Sequence, residues 1–329
     1  MLKVGRSRIK WVDSARGIGI VLVVFGHTLG GMLSARQLDP TGLGKLVFDA
    51  IYTFHMPLFF LLSGLFIVPR LDRGTRQFLS ASLSSIVLPY FLWGAIQSIV
   101  IATASSLVTA PVPLSGMLIV RMLWSPPSQF WFLYALFFMQ VLAVMILPTL
   151  GAWRFFLCAI VARLSLEFSL LPNVFDIVMR NWLYFALGAW LGHHAVDAIA
   201  TSRPRGELIT TTGLVFVTFA YDCVRRGGDY ASLSAMPAAA SGIVLTIVLS
   251  LKLPDALTPT MTYLGQRSMP IYLLHVFIVA GTRILFVRIL QIDEPIFIMA
   301  IAVTLGLALP LAADWIARRI GVGRAVGFP

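Results

Sequence analysis

The sequence predicts an all-α integral membrane protein with about ten transmembrane helices, and two observations support this fold class. Hydrophobic residues make up 58% of the 329 residues and charged residues only 12%, whereas soluble proteins carry about 25% charged residues. Long apolar segments recur along the chain and are separated by short polar connections. Because no hydrophilic block is long enough for a soluble domain, we expect a single membrane domain over residues 1–329.

Apolar segments of about 17–25 residues are long enough to cross a bilayer as helices. Ten segments fit this description, approximately 16–33, 48–68, 79–102, 130–149, 154–171, 180–199, 208–223, 234–251, 269–288 and 295–317. The first follows basic residues, as a signal peptide does, but it has no convincing small-residue cleavage site. We interpret it as an uncleaved anchor.

The distribution of charged residues and cysteines argues against some partners and predicts the orientation in the membrane. The net charge of +11 is spread between apolar segments and forms no contiguous basic face, so we expect no nucleic-acid partner. Lys and Arg are more frequent in connections on the side of the N terminus, with Arg225 and Arg226 as the main exception. The positive-inside rule therefore predicts that both termini are cytoplasmic. Cys158 and Cys223 both lie in apolar segments, which gives no disulfide framework and no metal site.

The first span carries a cation at its start and an imidazole in its middle, in RGIGIVLVVFGH from Arg16 to His27. Eleven residues make about three turns plus 20° and rise about 16 Å, so both side chains lie on one helix face. Arg16 is then at the cytoplasmic surface and His27 is near mid-membrane. A histidine there is either functional or hydrogen-bonded to a neighbouring helix. Asp13, one turn earlier, could orient Arg16 or begin the helix.

Two further histidines fall within spans. His55 stands just before Pro57 in FHMPLFFLLSGLF, and Ser63 follows deeper in that span, where it could donate a hydrogen bond or pack closely. His275 ends the segment SMPIYLLH in the ninth span. Because these histidines lie at overlapping depths on different spans, we expect a shared polar cavity.

Arginines recur every three residues in RLDRGTR, directly after the second span. Arg70, Arg73 and Arg76 could together bind phosphates. The alternative is that they only set the topology, and composition alone favours that alternative.

Two later positions have structural and functional interpretations. Arg163 and Glu167 are four residues apart inside the fifth span and can form an ion pair, which lowers the cost of burying them. We favour this pairing over a substrate contact. Trp131, near the outer end of the fourth span, fits an interfacial anchor, with sugar stacking as the alternative.

The segments WVDSARGIGIVLVVFGH, FHMPLFFLLSGLF, FWFLYALFF and IYLLH resemble the bacterial acyltransferase family 3, and within it the branch described as fucose 4-O-acetylase-like. The resemblance runs in order from about residue 11 to residue 277. Its most specific element is the motif of arginine, ten residues and histidine, filled by Arg16 and His27. The arginine–x–x–arginine motif is matched by Arg70 and Arg73, with Arg73 and Arg76 as a second register. Some members add a soluble extracytoplasmic domain, which we do not expect here.

The resemblance implies transfer of an acyl group, usually acetyl, from cytoplasmic acyl-CoA to a hydroxyl of a sugar or glycolipid at the bacterial inner membrane. It implies no permanently bound cofactor, with acetyl-CoA or another acyl-CoA as co-substrate. The partners would be acyl-CoA, the sugar or glycolipid acceptor and the lipid bilayer.

In this interpretation His27 is the general base and the arginine triplet binds the phosphates of coenzyme A, with a contribution from Arg16. A route through an acetyl-imidazole is the less economical alternative. His55 could bind the acceptor or stabilise the oxyanion.

The second functional hypothesis is a proton-coupled transporter or a flippase of a glycan intermediate, because buried histidines and a charged pair also suit a proton pathway. Two features weigh against a transporter. The halves of the sequence show no repeat symmetry, and arginines cluster beside the span that bears His55. A non-catalytic scaffold would leave the buried histidines unexplained. Release of free thiol from acetyl-CoA distinguishes an acyltransferase from both alternatives.

Overall fold

A computed structural model describes residues 9–104, 117–166, 173–202, 204–227 and 232–328, and the regular structure of these residues is entirely helical. The α-helices are α1 (Lys10–Ser34), α2 (Leu43–Gly64), α3 (Ile67–Leu71), α4 (Thr75–Ser82), α5 (Leu88–Thr103), α6 (Leu118–Arg121), α7 (Trp131–Ser165), α8 (Asn173–Thr201), α9 (Gly206–Arg225), α10 (Met236–Lys252), α11 (Thr258–Gln266), α12 (Ser268–Ile284) and α13 (Pro295–Arg319). A π-helical turn at Leu83–Val87 joins α4 to α5, and another at Leu285–Ile289 extends α12.

Eight helical segments of the described ranges are long and apolar enough to cross a membrane. They are Lys10–Ser34, Leu43–Gly64, Thr75–Thr103, Ser128–Ser165, Gly206–Arg225, Leu233–Lys252, Ser268–Ile289 and Pro295–Arg319. Many of their large apolar side chains are exposed on the outside of the bundle, including Met145, Val161 and Ile296. This lipid-compatible surface and the helix lengths confirm the predicted class, an all-α multi-pass membrane protein.

Two predicted spans share the segment Ser128–Ser165. Its 38 residues would make a helix about 57 Å long, far longer than a hydrocarbon core of about 30 Å. The backbone leaves helical geometry at Gly151, whose φ is 72° and ψ is 169°. Gly151 lies between the predicted spans 130–149 and 154–171, so it separates them, although residues 167–171 lie outside the described ranges.

The predicted span 180–199 lies within α8, which is not among the eight segments and has its own break at Gly192, where φ is 58°. Within the described residues each predicted span thus lies mostly in helix, and the total of ten stays a prediction.

Helix α2 returns antiparallel along α1, and glycines of α1 allow the close approach. A Cβ added at Gly19, Gly26 or Gly30 would lie about as close as packing permits, or closer, to the rings of Phe59, Tyr52 and Phe48 respectively. We call the end of the bundle near the start of α1 the proximal end, and the end near Ser34 the distal end. Arg16 is therefore proximal, and His27 lies towards the distal half.

Glycines also fix α1 and α2 against other helices. A Cβ at Gly17 would overlap the carbonyl oxygen of Met261 in α11, and a Cβ at Gly265 would overlap that of Asp13 in α1. Gly64 of α2 and Gly188 of α8 make the same kind of backbone contact. Small residues at helix crossings are typical of membrane bundles. These contacts hold the helices that carry the predicted site residues at fixed distances.

Candidate active site

The structure brings the three predicted histidines together around one tyrosine. The ring centroids of His27 and His275 are 4.9 Å apart. The Tyr52 ring lies 6.2 Å from that of His27 and 4.7 Å from that of His55. Histidines from α1, α2 and α12, far apart in sequence, thus form a single cluster, which we call the histidine cluster.

Hydrogen bonds fix two of these rings. Nδ1 of His55 lies 2.8 Å from the carbonyl oxygen of Ile51. Nδ1 of His275 lies 3.0 Å and 2.8 Å from the carbonyl oxygens of Ile271 and Tyr272. Since a carbonyl only accepts, Nδ1 carries the proton in both neutral rings, and Nε2 is left as an acceptor. The Nε2 of His275 is fully buried and has no partner among the described residues.

His27 differs from the other two because neither of its ring nitrogens has a hydrogen-bond partner within the described ranges. Its side chain is half-buried and lines a cavity, whereas His55 and His275 are buried. An imidazole with an available nitrogen, in contact with open space, can accept a proton from a bound hydroxyl.

Arg16 lies about 16 Å from His27 along α1, at the proximal end. Its Nη1 is 4.0 Å from Oδ1 of Asp13, one turn earlier. The buried Asp13 side chain also accepts a hydrogen bond of 3.0 Å from Nε2 of Gln266. Of the two roles suggested for Asp13, this geometry fits orientation of Arg16, with the carboxylate held between α1 and α11.

A proximal cavity of about 600 Å³ lies beside Arg16. Its polar lining includes Arg16, Arg70, Arg73, Ser63, Gln77, Ser82 and Gln140. Desolvation of the guanidinium lowers the pKa of Arg70, and the like charge of Arg73 lowers it further. Of the described residues, three arginines and no acidic residue line the cavity, so an anion would be stabilised there. Arg76 is exposed and does not line it.

Ser63 lines the proximal cavity, and its Oγ donates a hydrogen bond of 2.8 Å to the carbonyl oxygen of Phe59. The neighbouring Gly64 makes the tight contact with α8. Of the two suggested roles for Ser63, the hydrogen bond is present, but within its own helix, and the close packing belongs to Gly64.

A second cavity, of about 370 Å³, lies beside His55. Its lining includes Tyr52, His55, Trp131, Arg163 and Tyr184. Arg163 is only 2% exposed, so it lies inside the protein and not at a lipid interface. Glu167, its predicted partner, lies outside the described residues.

A third, distal cavity of about 240 Å³ opens beside His27. Its lining includes His27, Thr28, Gly31, Ser34 and Arg283. The polar space expected between the helices is thus divided into three cavities, and His27 and His55 line different ones.

Sequence reasoning missed Tyr52 and Arg283. A signal for the tyrosine was present, because Tyr52 precedes His55 by three residues just as Tyr272 precedes His275, and that spacing puts both rings on one helix face. Arg283 falls within the predicted span 269–288, but no sequence pattern relates it to His27.

The comparisons with known proteins concern the family of the chain. A family model described as an acyltransferase domain matches residues 9–315. Over 189 residues the chain is 31% identical to the nodulation protein NolL of Mesorhizobium japonicum, and the match covers 54% of this chain and 46% of that protein. The chain therefore matches about half the length of that relative. No solved structure matches the chain.

Proposed function

The chain belongs to acyltransferase family 3, and from this premise we propose that it is an O-acyltransferase that uses cytoplasmic acyl-CoA. The acyl group, most often acetyl, goes to a hydroxyl of a sugar in an envelope or exported glycan. The observation that carries the proposal is the position of His27, an unpartnered imidazole that lines the distal cavity on the same helix, α1, whose Arg16 lines the arginine-rich proximal cavity. Cations at the proximal cavity and a base at the distal cavity suit a donor and an acceptor that arrive from opposite faces.

The proximal cavity suits the donor. The nucleotide end of acetyl-CoA carries several phosphates, and Arg70 and Arg73 offer planar, bidentate donors for them. Arg16, 4.0 Å from Asp13, adds a third cation to the lining of this cavity. The pantetheine arm is neutral and would extend from this cavity towards His27. The ring of Phe59 lines the proximal cavity and packs on Gly19, which lies between Arg16 and His27 in the order of α1.

The transfer itself needs one base. The acceptor hydroxyl loses its proton to a ring nitrogen of His27 as its oxygen attacks the thioester carbonyl. The carbon–sulfur bond then breaks, and the thiolate takes the proton back from the His27 imidazolium, which leaves an O-acyl ester and free coenzyme A. The ring returns to its neutral form, so no acyl-enzyme is required.

His275 suits a positioning role. Its Nδ1–H donates to backbone carbonyls, so its buried, unpartnered Nε2 can only accept, and its ring is 4.9 Å from that of His27. A hydrogen bond from an N–H of His27 to this nitrogen would leave the other nitrogen of His27 free to act as the base.

His55 suits acceptor binding better than oxyanion stabilisation. With Nδ1–H donated to Ile51, the neutral ring has only an acceptor at Nε2. An oxyanion needs donors, whereas a sugar hydroxyl can donate to this nitrogen. Trp131 and Arg163, which share the second cavity with His55, would contact more distant parts of the acceptor.

The test measures thiol release from acetyl-CoA by the purified full chain in nanodiscs, with and without an extract of envelope glycolipids. We compare the wild type with His27→Ala and with a matched control, His194→Ala, which removes an exposed histidine of α8. We expect release that the extract stimulates in the wild type and the control, and a loss of about 10²- to 10⁴-fold in His27→Ala.

Extract-stimulated release that persists in a folded His27→Ala protein would remove His27 as the base. No release from any variant, together with no binding of acetyl-CoA, would overturn the acyltransferase proposal and favour a transporter.

A further inference from the structure

The distal cavity holds a cation that the mechanism above does not use. Arg283 of α12 is half-buried and lines the same cavity as His27. Within the described ranges, it has no hydrogen bond and no ion pair. Other arginines of the bundle do pair, as Arg180 does with Asp176 at 2.6 Å and Arg318 with Asp314 at 2.9 Å.

Arg283 reaches towards α1 close to the histidine cluster. Its Nε lies 4.0 Å from the position that a Cβ on Gly31 would occupy, one turn beyond His27. Several other lining residues are small, namely Gly30, Ala280 and Ala302, so the cavity retains open space. A ligand in this space would contact both the guanidinium and the imidazole.

The electrostatics of this cavity favour an anion. None of its described lining residues is acidic. The positive charge of Arg288, five residues later, repels that of Arg283. A cation at membrane depth without a counter-charge is costly, and such residues mark substrate paths. The guanidinium fork matches the two oxygens of a carboxylate or a phosphate.

We propose that Arg283 selects the acceptor by binding an anionic group, a carboxylate or a phosphate, of the glycan whose reacting hydroxyl lies against His27. This inference rests on the proposed function, because it requires His27 as the base. The cavity of about 240 Å³ is smaller than the roughly 300–1,000 Å³ that encloses a drug-sized ligand. One sugar ring with its anionic substituent would fill it, so the rest of the glycan lies outside this cavity.

The experiment separates an envelope glycolipid extract by anion exchange and measures which fraction stimulates thiol release from acetyl-CoA. The probes are the neutral fraction, the acidic fraction, the acidic fraction after reduction of its carboxylates and the acidic fraction after phosphatase treatment. The last two probes distinguish a carboxylate from a phosphate. The proteins are the full-length wild type, His27→Ala, Arg283→Gln, Arg283→Lys and the control Arg288→Gln, which removes the exposed neighbouring charge.

We expect the acidic fraction to stimulate the wild type and one of the two treatments to abolish that stimulation. In Arg283→Gln, KM for the acidic fraction rises about 10- to 100-fold, as expected for lost hydrogen bonds to a charged group, while KM for acetyl-CoA stays within about twofold. Arg283→Lys keeps the charge but not the fork, so it recovers part of the loss. Arg288→Gln behaves like the wild type.

Several outcomes would overturn the inference. If only the neutral fraction stimulates the wild type, the inference is overturned. This outcome needs no variant, so it can be read even if Arg283→Gln does not fold. An unchanged KM for the acidic fraction in Arg283→Gln would show that Arg283 does not bind the acceptor. Extract-stimulated release that persists in His27→Ala would instead remove His27 as the base of the proposed function, and no release from any variant would overturn that function itself, so the failures are distinguishable.

Discussion

The proximal cavity and the histidine cluster share helix α1 but are built in opposite ways. Arg70 and Arg73 of the cavity lie on the short helix α3 and on the turn after it, and they offer charge with long, adaptable side chains. The histidine cluster lies on long helices. Backbone hydrogen bonds hold the rings of His55 and His275, and tight helix crossings fix α1, which carries His27. The first suits binding of an anion by charge, and the second suits catalysis that depends on position.

The largest loss of stability and activity should come from separating α1 from α11. The contact between these two helices supports both the proximal cavity and the histidine cluster. In Gly265→Leu the new side chain would overlap the carbonyl oxygen of Asp13, so we expect a loss of about 3 kcal/mol or more in the free energy of unfolding. Thiol release should be abolished as well. The matched control is Gly281→Leu in α12, where nothing lies within 4 Å of the added Cβ.

The measurements are the unfolding midpoint in detergent and the rate of thiol release for both leucine variants. Equal stability of the two proteins would contradict the close crossing of α1 and α11.

The next effect should be confined to the proximal cavity. In the double variant Arg70→Gln/Arg73→Gln we expect KM for acetyl-CoA to rise about 10- to 100-fold, because charge-assisted hydrogen bonds to phosphate are lost. The value of kcat at saturating acetyl-CoA should change little, because His27 is untouched. Steady-state kinetics with a fixed glycolipid extract measure both constants.

Arg76→Gln is the control that decides the register of the arginine motif. Arg76 does not line the cavity, so we expect its substitution to change KM for acetyl-CoA by less than about twofold. A rise equal to that of the double variant would favour the register of Arg73 and Arg76. Equal increases in KM for acetyl-CoA and for the acceptor would instead indicate a topological role for these arginines.

The two regions were not equally predictable from sequence. Helical periodicity alone places Arg16 and His27 on one face about three turns apart, and the long apolar segments of the sequence predict the membrane class. These are properties within one helix. The contact between His27 and His275 involves residues 248 positions apart, 275 minus 27, so it depends on how α1 and α12 cross.

The sequence also did not predict that the polar space is divided into separate cavities. Overlapping depths suggested one cavity for all the histidines, whereas His27 and His55 line separate cavities with the Tyr52 ring in contact with both imidazoles. Which side of a ring faces open space is decided by packing at helix crossings, such as Tyr52 against Gly26. No periodicity in one helix contains that information.

A smaller effect, on KM for the glycolipid, should distinguish the role of His55 from that of His27 within the histidine cluster. If Nε2 of His55 accepts a hydrogen bond from the acceptor, His55→Ala should raise KM for the glycolipid about 2- to 12-fold, the range for one neutral hydrogen bond. His55→Gln keeps an accepting oxygen and should lose less. Kinetics with varied glycolipid at saturating acetyl-CoA test this. A large fall in kcat with KM unchanged would contradict acceptor binding and favour oxyanion stabilisation.

The smallest effect should come from Asp13, which belongs to neither region directly but orients a side chain of the proximal cavity. Asp13→Asn keeps an oxygen that can accept from Gln266 while removing the charge that faces Arg16 at 4.0 Å. Ion pairs at this distance contribute up to about 1 kcal/mol, so we expect KM for acetyl-CoA to rise by at most about fivefold and kcat to stay the same. Asp13→Ala, which also removes the acceptor for Gln266, should lower the unfolding midpoint as well. If Asp13→Asn lowered kcat without changing KM, the influence of Asp13 would extend along α1 to His27, and the separation of charge-based binding from position-based catalysis would fail.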